Sequence, residues 1–125
     1  MKGRKILVVD DESDITLAIT RVLEESGSKV DSYNDPVLAL QNFKANFYEL
    51  IILDIKMPKM NGFDLCEKII KIDGKVKVCF LTAWGEFRDY ELSKRNSLCK
   101  EGKIQLIQKP IENEKLIELI GTIKS

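Results

Sequence analysis

KILVVD at residues 5–10 and LIILD at residues 50–54 are the most informative segments of this 125-residue chain. Each is a short, continuously apolar run that ends in an aspartate, a pattern typical of strands buried on both faces of a parallel sheet. Amphipathic segments with apolar residues three and four positions apart alternate with such runs and predict helices. We therefore predict one doubly wound α/β domain over residues 1–125, with helices on both faces of a five-stranded parallel sheet.

The other predicted elements follow the same alternation of apolar runs and helical periodicity. Further strands are predicted at 29–33, 76–82 and 104–108. Helices are predicted at 13–26, from Gly62 through Ile70, within 86–99 and at 112–124. Another helix is predicted to begin at Asn34-Asp35-Pro36, where a proline suits the first turn, and to include Leu40, Phe43 and Phe47.

Composition excludes several classes of function. Twenty basic residues balance twenty acidic ones, so no broad attraction to nucleic acid or anionic membranes is expected. No apolar run approaches the roughly 20 residues that span a bilayer, and we predict a cytoplasmic protein. Cys66, Cys79 and Cys99 lack the spacing of a zinc site and are predicted to be reduced, mostly buried thiols. The absence of histidine excludes Ser-His and Cys-His catalysis.

Polar residues stand where the predicted strands end. In a doubly wound sheet, ligands bind at the carboxyl ends of the strands. Neighbouring strands lie roughly 4.8 Å apart, so carboxylates at their ends repel one another unless a cation lies between them. Mg²⁺ takes oxygen ligands at about 2.1 Å and suits such a rim. The sequence therefore predicts an acidic Mg²⁺ site beside a lysine, from the strand-end residues Asp10, Asp11, Asp54, Thr82 and Lys109.

Four motifs together carry a resemblance to a known family. VVDDE at 8–12, LDIKMPKMNG at 53–62, FLTAW at 80–84 and QKP at 108–110 occur in this order over nearly the whole chain. In this ordered set the chain resembles the receiver domains of response regulators in two-component signalling. The resemblance implies a flavodoxin-like sheet with strand order 2-1-3-4-5.

The resemblance also implies a phosphorylation site. Asp54 would accept a phosphoryl group from a sensor histidine kinase or a phosphotransfer protein. Asp10, Asp11, an oxygen of Asp54 and the backbone carbonyl of Lys56 would hold Mg²⁺. Such a domain is a regulatory phosphoacceptor that catalyses only its own phosphorylation and dephosphorylation.

Signal transmission is implied by further positions. Lys109 would pair with one phosphoryl oxygen, and Thr82 would donate a hydrogen bond to another. The family commonly has an aromatic residue where Leu106 stands, so its usual movement on strand five is not expected here. We predict instead that the signal leaves mainly through the loop Thr82-Ala83-Trp84-Gly85 and the segment 86–103.

The remaining expectations concern geometry and partners. A cis peptide bond is implied before Pro110. The expected partners are the phosphodonor and an output protein, or an effector domain outside this chain. The face formed by the predicted fourth helix, strand five and the last helix is a candidate dimer interface. No contact of this domain with nucleic acid or membrane is expected.

Two enzyme classes fit the sequence poorly, and one alternative stays open. Phosphatases with an aspartyl-phosphate intermediate carry a second acid two residues after the nucleophile, where this chain has Lys56. A phosphate-binding loop at Gly74-Lys75 lacks the earlier glycine, because position 69 is Ile. The open alternative is a receiver-like domain that signals through protein contacts without phosphorylation.

Overall fold

The computed structural model describes residues 5–83, 104–109 and 112–121. Among them, five strands form one parallel sheet in the order β2-β1-β3-β4-β5. The strands are β1 (Lys5–Val9), β2 (Lys29–Tyr33), β3 (Leu50–Asp54), β4 (Lys77–Thr82) and β5 (Ile104–Gln108). The described helices are α1 (Ser13–Glu25), α2 (Pro36–Gln41), α3 (Gly62–Ile72) and the last helix (Asn113–Gly121). The predicted flavodoxin-like α/β class and strand order are confirmed.

Two apolar layers cover the two faces of the sheet. Successive side chains of a strand point to opposite faces, so β1 places Leu7 in one layer and Ile6 in the other. The first layer packs beneath α3, through Leu65 and Ile69. The second packs beneath α1 and the last helix, with the members Ile19, Leu23, Ile52, Leu81, Ile107 and Leu116. All five residues of β3 are buried, as its apolar run predicts.

The second helix is much shorter than predicted. It ends at Gln41, so Phe43 and Phe47 lie beyond it and the predicted extension is wrong. At its end, the Asn42 side chain donates a hydrogen bond to the Leu38 carbonyl at 2.8 Å. Both phenylalanines instead pack on the ring of Tyr48, with centroids 5.6 and 4.9 Å away. Their helix-like spacing therefore reflects packing of a loop against the core.

Most other boundaries agree with the predictions to within a residue, α3 runs two residues past Ile70, and the rest lie outside the described residues. β1 ends one residue earlier than predicted, and β4 begins one residue later. Cys66 and Cys79 are buried, as expected. The helix predicted within 86–99 lies outside the described residues, as do Trp84, Cys99, Pro110 and the side chain of Leu106. The extent of the domain over 1–125 stays a prediction.

None of the helices in the described ranges is long and apolar enough to cross a membrane.

Candidate functional site

The carboxyl ends of four strands bring the predicted residues to one rim. Asp10 follows β1, Asp54 ends β3, Thr82 ends β4 and Lys109 follows β5. The strand register makes these ends coincide, because Asp54 lies beside Leu81 in the sheet. Asp10, Asp54 and Thr82 are 0%, 3% and 6% exposed. The rim thus holds two carboxylates that are almost completely removed from water.

One lysine lies between the two buried carboxylates. The Nζ atom of Lys109 lies 3.1 Å from Asp10 Oδ2 and 3.1 Å from Asp54 Oδ1. The backbone of Lys109 is fixed to β4, since its N–H donates to the Thr82 carbonyl at 2.8 Å. A single ammonium group therefore serves two carboxylates from a position set by the sheet.

The pKa values follow from this burial and crowding. Burial raises the pKa of Asp54 to about 7, and repulsion from Asp10 acts in the same direction against the attraction of Lys109. Burial also raises the pKa of Asp10, although the Glu12 N–H and Lys109 oppose it. Burial alone would lower the pKa of Lys109, but the attraction of Asp10 and Asp54 outweighs it and raises that pKa. The one ammonium group of Lys109 therefore does not balance the negative charge of both carboxylates.

Three consecutive acids offer oxygen ligands beside this pair. Asp10, Asp11 and Glu12 each have a carboxylate oxygen within 4.8 Å of the others. Asp10 Oδ1 accepts a hydrogen bond from the Glu12 N–H at 2.9 Å. Asp10 Oδ2 is buried, and the Lys109 ammonium group at 3.1 Å is its one close polar partner among the described residues. An all-oxygen donor set with such an oxygen fits a hard cation such as Mg²⁺.

Two neighbours of the site were not predicted. Glu12 lies in VVDDE without a predicted role, and its Oε1 atom is 3.5 Å from Lys109 Nζ. Asn34 follows β2, and its Nδ2 atom donates to the Asp10 carbonyl at 2.7 Å. No motif marks Asn34, because its partner is distant in sequence and is a backbone group.

The loop after Asp54 is held close behind it. The Gly62 N–H donates to the Ile55 carbonyl at 2.7 Å. A Cβ atom at position 62 would overlap the backbone carbonyl of Asp54, so this close approach requires glycine. Lys56 lies within the loop with its side chain exposed, and Lys59 adopts a φ of 72°. The loop thereby returns sharply from the end of β3 into α3.

The fold and this rim are those of a known family. The family model described as the response regulator receiver domain matches residues 6–121. The chain belongs to the response regulator receiver domain family. It is therefore a regulatory domain of two-component signalling, a class that works through phosphorylation.

Several relatives of this receiver domain are similar over nearly its whole length. It is 34% identical over 122 residues to the chemotaxis protein CheY of Treponema pallidum, covering 95% of this chain and 81% of that protein. It is also 34% identical over 119 residues to the transcriptional regulatory protein CpxR homolog of Haemophilus influenzae. That match covers 95% of this chain but only 49% of the regulator. The chain thus spans about half of one relative and most of the other.

A solved structure agrees with this assignment. The crystal structure of a response regulator receiver domain protein from Clostridium thermocellum superposes with a TM-score of 0.80 at 31% identity. The superposition covers 96% of this chain and 93% of that one.

Proposed function

We propose that this receiver domain is a phosphorylatable switch in which Asp54 accepts a phosphoryl group from a histidine kinase or phosphotransfer protein. The observation that best supports the proposal is the placement of Asp54. It is buried at the end of β3, with Oδ1 only 3.1 Å from Lys109 Nζ. Glu12, Asp11 and Asp10 form an acidic cluster in the neighbouring loop.

The transfer itself requires little from the protein besides positioning and charge. An oxygen of Asp54 attacks the phosphorus of the donor's phosphohistidine. A P–O bond forms while the P–N bond breaks, and the imidazole nitrogen keeps the electron pair and takes a proton from water. Lys109 would then contact an oxygen of the new acyl phosphate, since its ammonium group already lies beside the acceptor carboxylate.

Asp54 must be ionised to act as a nucleophile. With its pKa raised to about 7 by burial, a substantial fraction of the carboxyl is protonated at neutral pH. Additional positive charge at the rim would lower that pKa and restore the carboxylate. The burial that separates Asp54 from water thus makes its reactivity depend on a cation.

Asp10, Asp11, Asp54 and the backbone carbonyl of Lys56 would hold that cation as Mg²⁺. When bound, Mg²⁺ neutralises negative charge on the phosphoryl group. Asp10 would contribute Oδ2, which faces the rim and contacts the Lys109 ammonium group at 3.1 Å. Asp11 is exposed and would complete the site from the solvent side.

The modification would be sensed at the end of β4. Thr82 is buried there, and its carbonyl accepts a hydrogen bond from the N–H of Lys109, so the two residues that would contact the phosphoryl group are joined through their backbones. A shift of either would displace Ala83, the next described residue. Further transmission through Trp84, with Leu106 staying packed, remains a prediction, as do the output partner and a dimer interface.

The decisive test is phosphorylation by acetyl phosphate with Mg²⁺, followed by intact-protein mass spectrometry after acidic quench. The native chain should gain one phosphoryl group, and Asp54→Asn should gain none. Asp64→Asn is the matched control, because Asp64 is an exposed aspartate of α3. It should be labelled like the native chain.

Undiminished labelling of Asp54→Asn would refute the assignment of the acceptor. A native chain that takes no label with or without Mg²⁺ would favour the alternative of signalling through protein contacts alone.

A further inference from the structure

Asn34 links the end of β2 to the acidic loop at residues 10–12. Its Nδ2 atom donates to the Asp10 carbonyl at 2.7 Å and to Thr16 Oγ1 at 3.1 Å. A carbonyl oxygen can only accept, so the amide nitrogen must face Asp10. Both N–H bonds of the side-chain amide are thereby used.

The second of these contacts continues into α1. Thr16 is buried, and its hydroxyl donates to the Ser13 carbonyl at 3.0 Å. The N-cap residue of α1, Glu12, makes no side-chain hydrogen bond to the helix end. The usual local capping is therefore missing, and the first turn of α1 is tied to Asn34 instead.

Asp10 is held on three sides by these contacts. Its N–H donates to the Tyr33 carbonyl at 3.2 Å, and its carbonyl accepts from Asn34. Its Oδ1 accepts from the Glu12 N–H at 2.9 Å. Two of the three groups that hold Asp10 come from the adjacent residues Tyr33 and Asn34. Only Oδ2 is left for the rim.

We propose that Asn34 is a positioning residue for the metal-binding loop, an inference that rests on the proposed function. The Asp10 carbonyl belongs to the peptide that joins Asp10 to Asp11. Fixing this peptide sets the direction in which the Asp11 carboxylate leaves the backbone. Asn34 therefore determines how well the two carboxylates are preorganised for one Mg²⁺ ion.

Calorimetric titration with Mg²⁺ tests this proposal without any phosphorylation. Asn34→Ala and Asn34→Leu both remove the donor, and Leu also keeps most of the volume. Each should raise the Kd for Mg²⁺ about tenfold, as loss of groups that orient metal ligands commonly does. Asn42→Ala is the matched control, because Asn42 also donates to a backbone carbonyl, at 2.8 Å, but beyond α2. Its Kd should equal that of the native chain.

Two further measurements separate positioning from a general structural role. At saturating Mg²⁺, the rate of labelling by acetyl phosphate should stay within about twofold of the native rate, since the ligands themselves are intact. In metal-free protein, hydrogen exchange should accelerate at residues 10–16 in the Asn34 variants and not in Asn42→Ala. Thr16→Val should raise the Kd less than Asn34→Ala, and the double variant should not exceed Asn34→Ala.

The outcomes distinguish this inference from the function on which it rests. An unchanged Kd in folded Asn34→Ala or Asn34→Leu, beside a native chain that binds Mg²⁺, would overturn the role of Asn34 alone. A native chain that binds no Mg²⁺ would overturn the metal site and the proposal together. If Asn34→Leu does not fold, Asn34→Ala and the double variant decide.

Discussion

Buried aspartates lie at both ends of the parallel strands, and the protein stabilises them in different ways. At the amino ends of the strands, Asp73 lies between α3 and β4. Its two carboxylate oxygens accept hydrogen bonds from the backbone N–H groups of Asn46 at 2.8 Å and Lys75 at 3.0 Å. At the carboxyl ends of the strands, Asp10 and Asp54 both contact the ammonium group of Lys109. Asp73 is stabilised by dipoles that belong to the folded backbone. Asp54 and the Oδ2 atom of Asp10 contact a charge on a side chain, which can be exchanged for another charge.

The largest loss of unfolding free energy is expected from removal of the Asp73 side chain. Asp73→Ala would leave two backbone N–H groups without partners and remove two hydrogen bonds to a charged acceptor, at a cost of about 3 kcal/mol. Asp10→Asn should not lower the free energy of unfolding in EDTA, because the raised pKa of Asp10 shows that its charge is unfavourable there. Urea denaturation of both variants measures the difference. A larger loss of unfolding free energy in Asp10→Asn than in Asp73→Ala would contradict this difference between the two ends of the strands.

Binding of Mg²⁺ at the carboxyl ends of the strands should raise the free energy of unfolding. At 100 times its Kd, a ligand specific for the folded state adds about 2.7 kcal/mol. Asp11→Asn should reduce this gain while making the metal-free protein more stable, since it removes one of three clustered carboxylates. Thermal unfolding in Mg²⁺ and in NaCl of equal ionic strength separates binding from screening. A melting temperature that does not respond to millimolar Mg²⁺ would contradict the site.

A smaller and more gradual effect is expected from pH. In EDTA the pKa of Asp54 is raised to about 7, from an ordinary 3.8, so between these values the folded state holds more protons than the unfolded state. The contribution of Asp54 to the free energy of unfolding should therefore fall as the pH rises from 4 to 7, by on the order of 1 kcal/mol per pH unit. Asp54→Asn should flatten this slope, whereas Asp64→Asn should not. Equal slopes in the native chain and in Asp54→Asn would contradict the raised pKa of Asp54.

The parts of the site that strands carry could be predicted, because an apolar run that ends in a polar residue marks both the strand and its rim. Asp10, Asp54, Thr82 and Lys109 were found in this way. Whether Asp54 is the phosphoacceptor stays a prediction until it is tested by labelling. Asn34 could not be found, since its function in the loop depends on the pairing of β1 with β2 and on a contact to a backbone carbonyl.

The error in α2 has a similar cause. Leu40, Phe43 and Phe47 have helical spacing, and neither glycine nor proline interrupts them. The helix nevertheless ends at Gln41, and the chain turns through Asn46 at a φ of 62°. Asp73 fixes this turn by accepting the Asn46 N–H at 2.8 Å. A long-range contact thus overrides a local pattern, which periodicity alone cannot anticipate.

The contact between Gly62 and the carbonyl of Asp54 has a mechanical consequence. Because Gly62 has no side chain, the first turn of α3 packs directly on the backbone carbonyl of Asp54. The hydrogen bond from the Gly62 N–H to the Ile55 carbonyl holds the two elements together. The backbone of Asp54 therefore has no room to move toward α3. If Asp54 is phosphorylated as proposed, we expect this backbone to stay in place and the adjustment to fall on the side chains of Thr82 and Lys109.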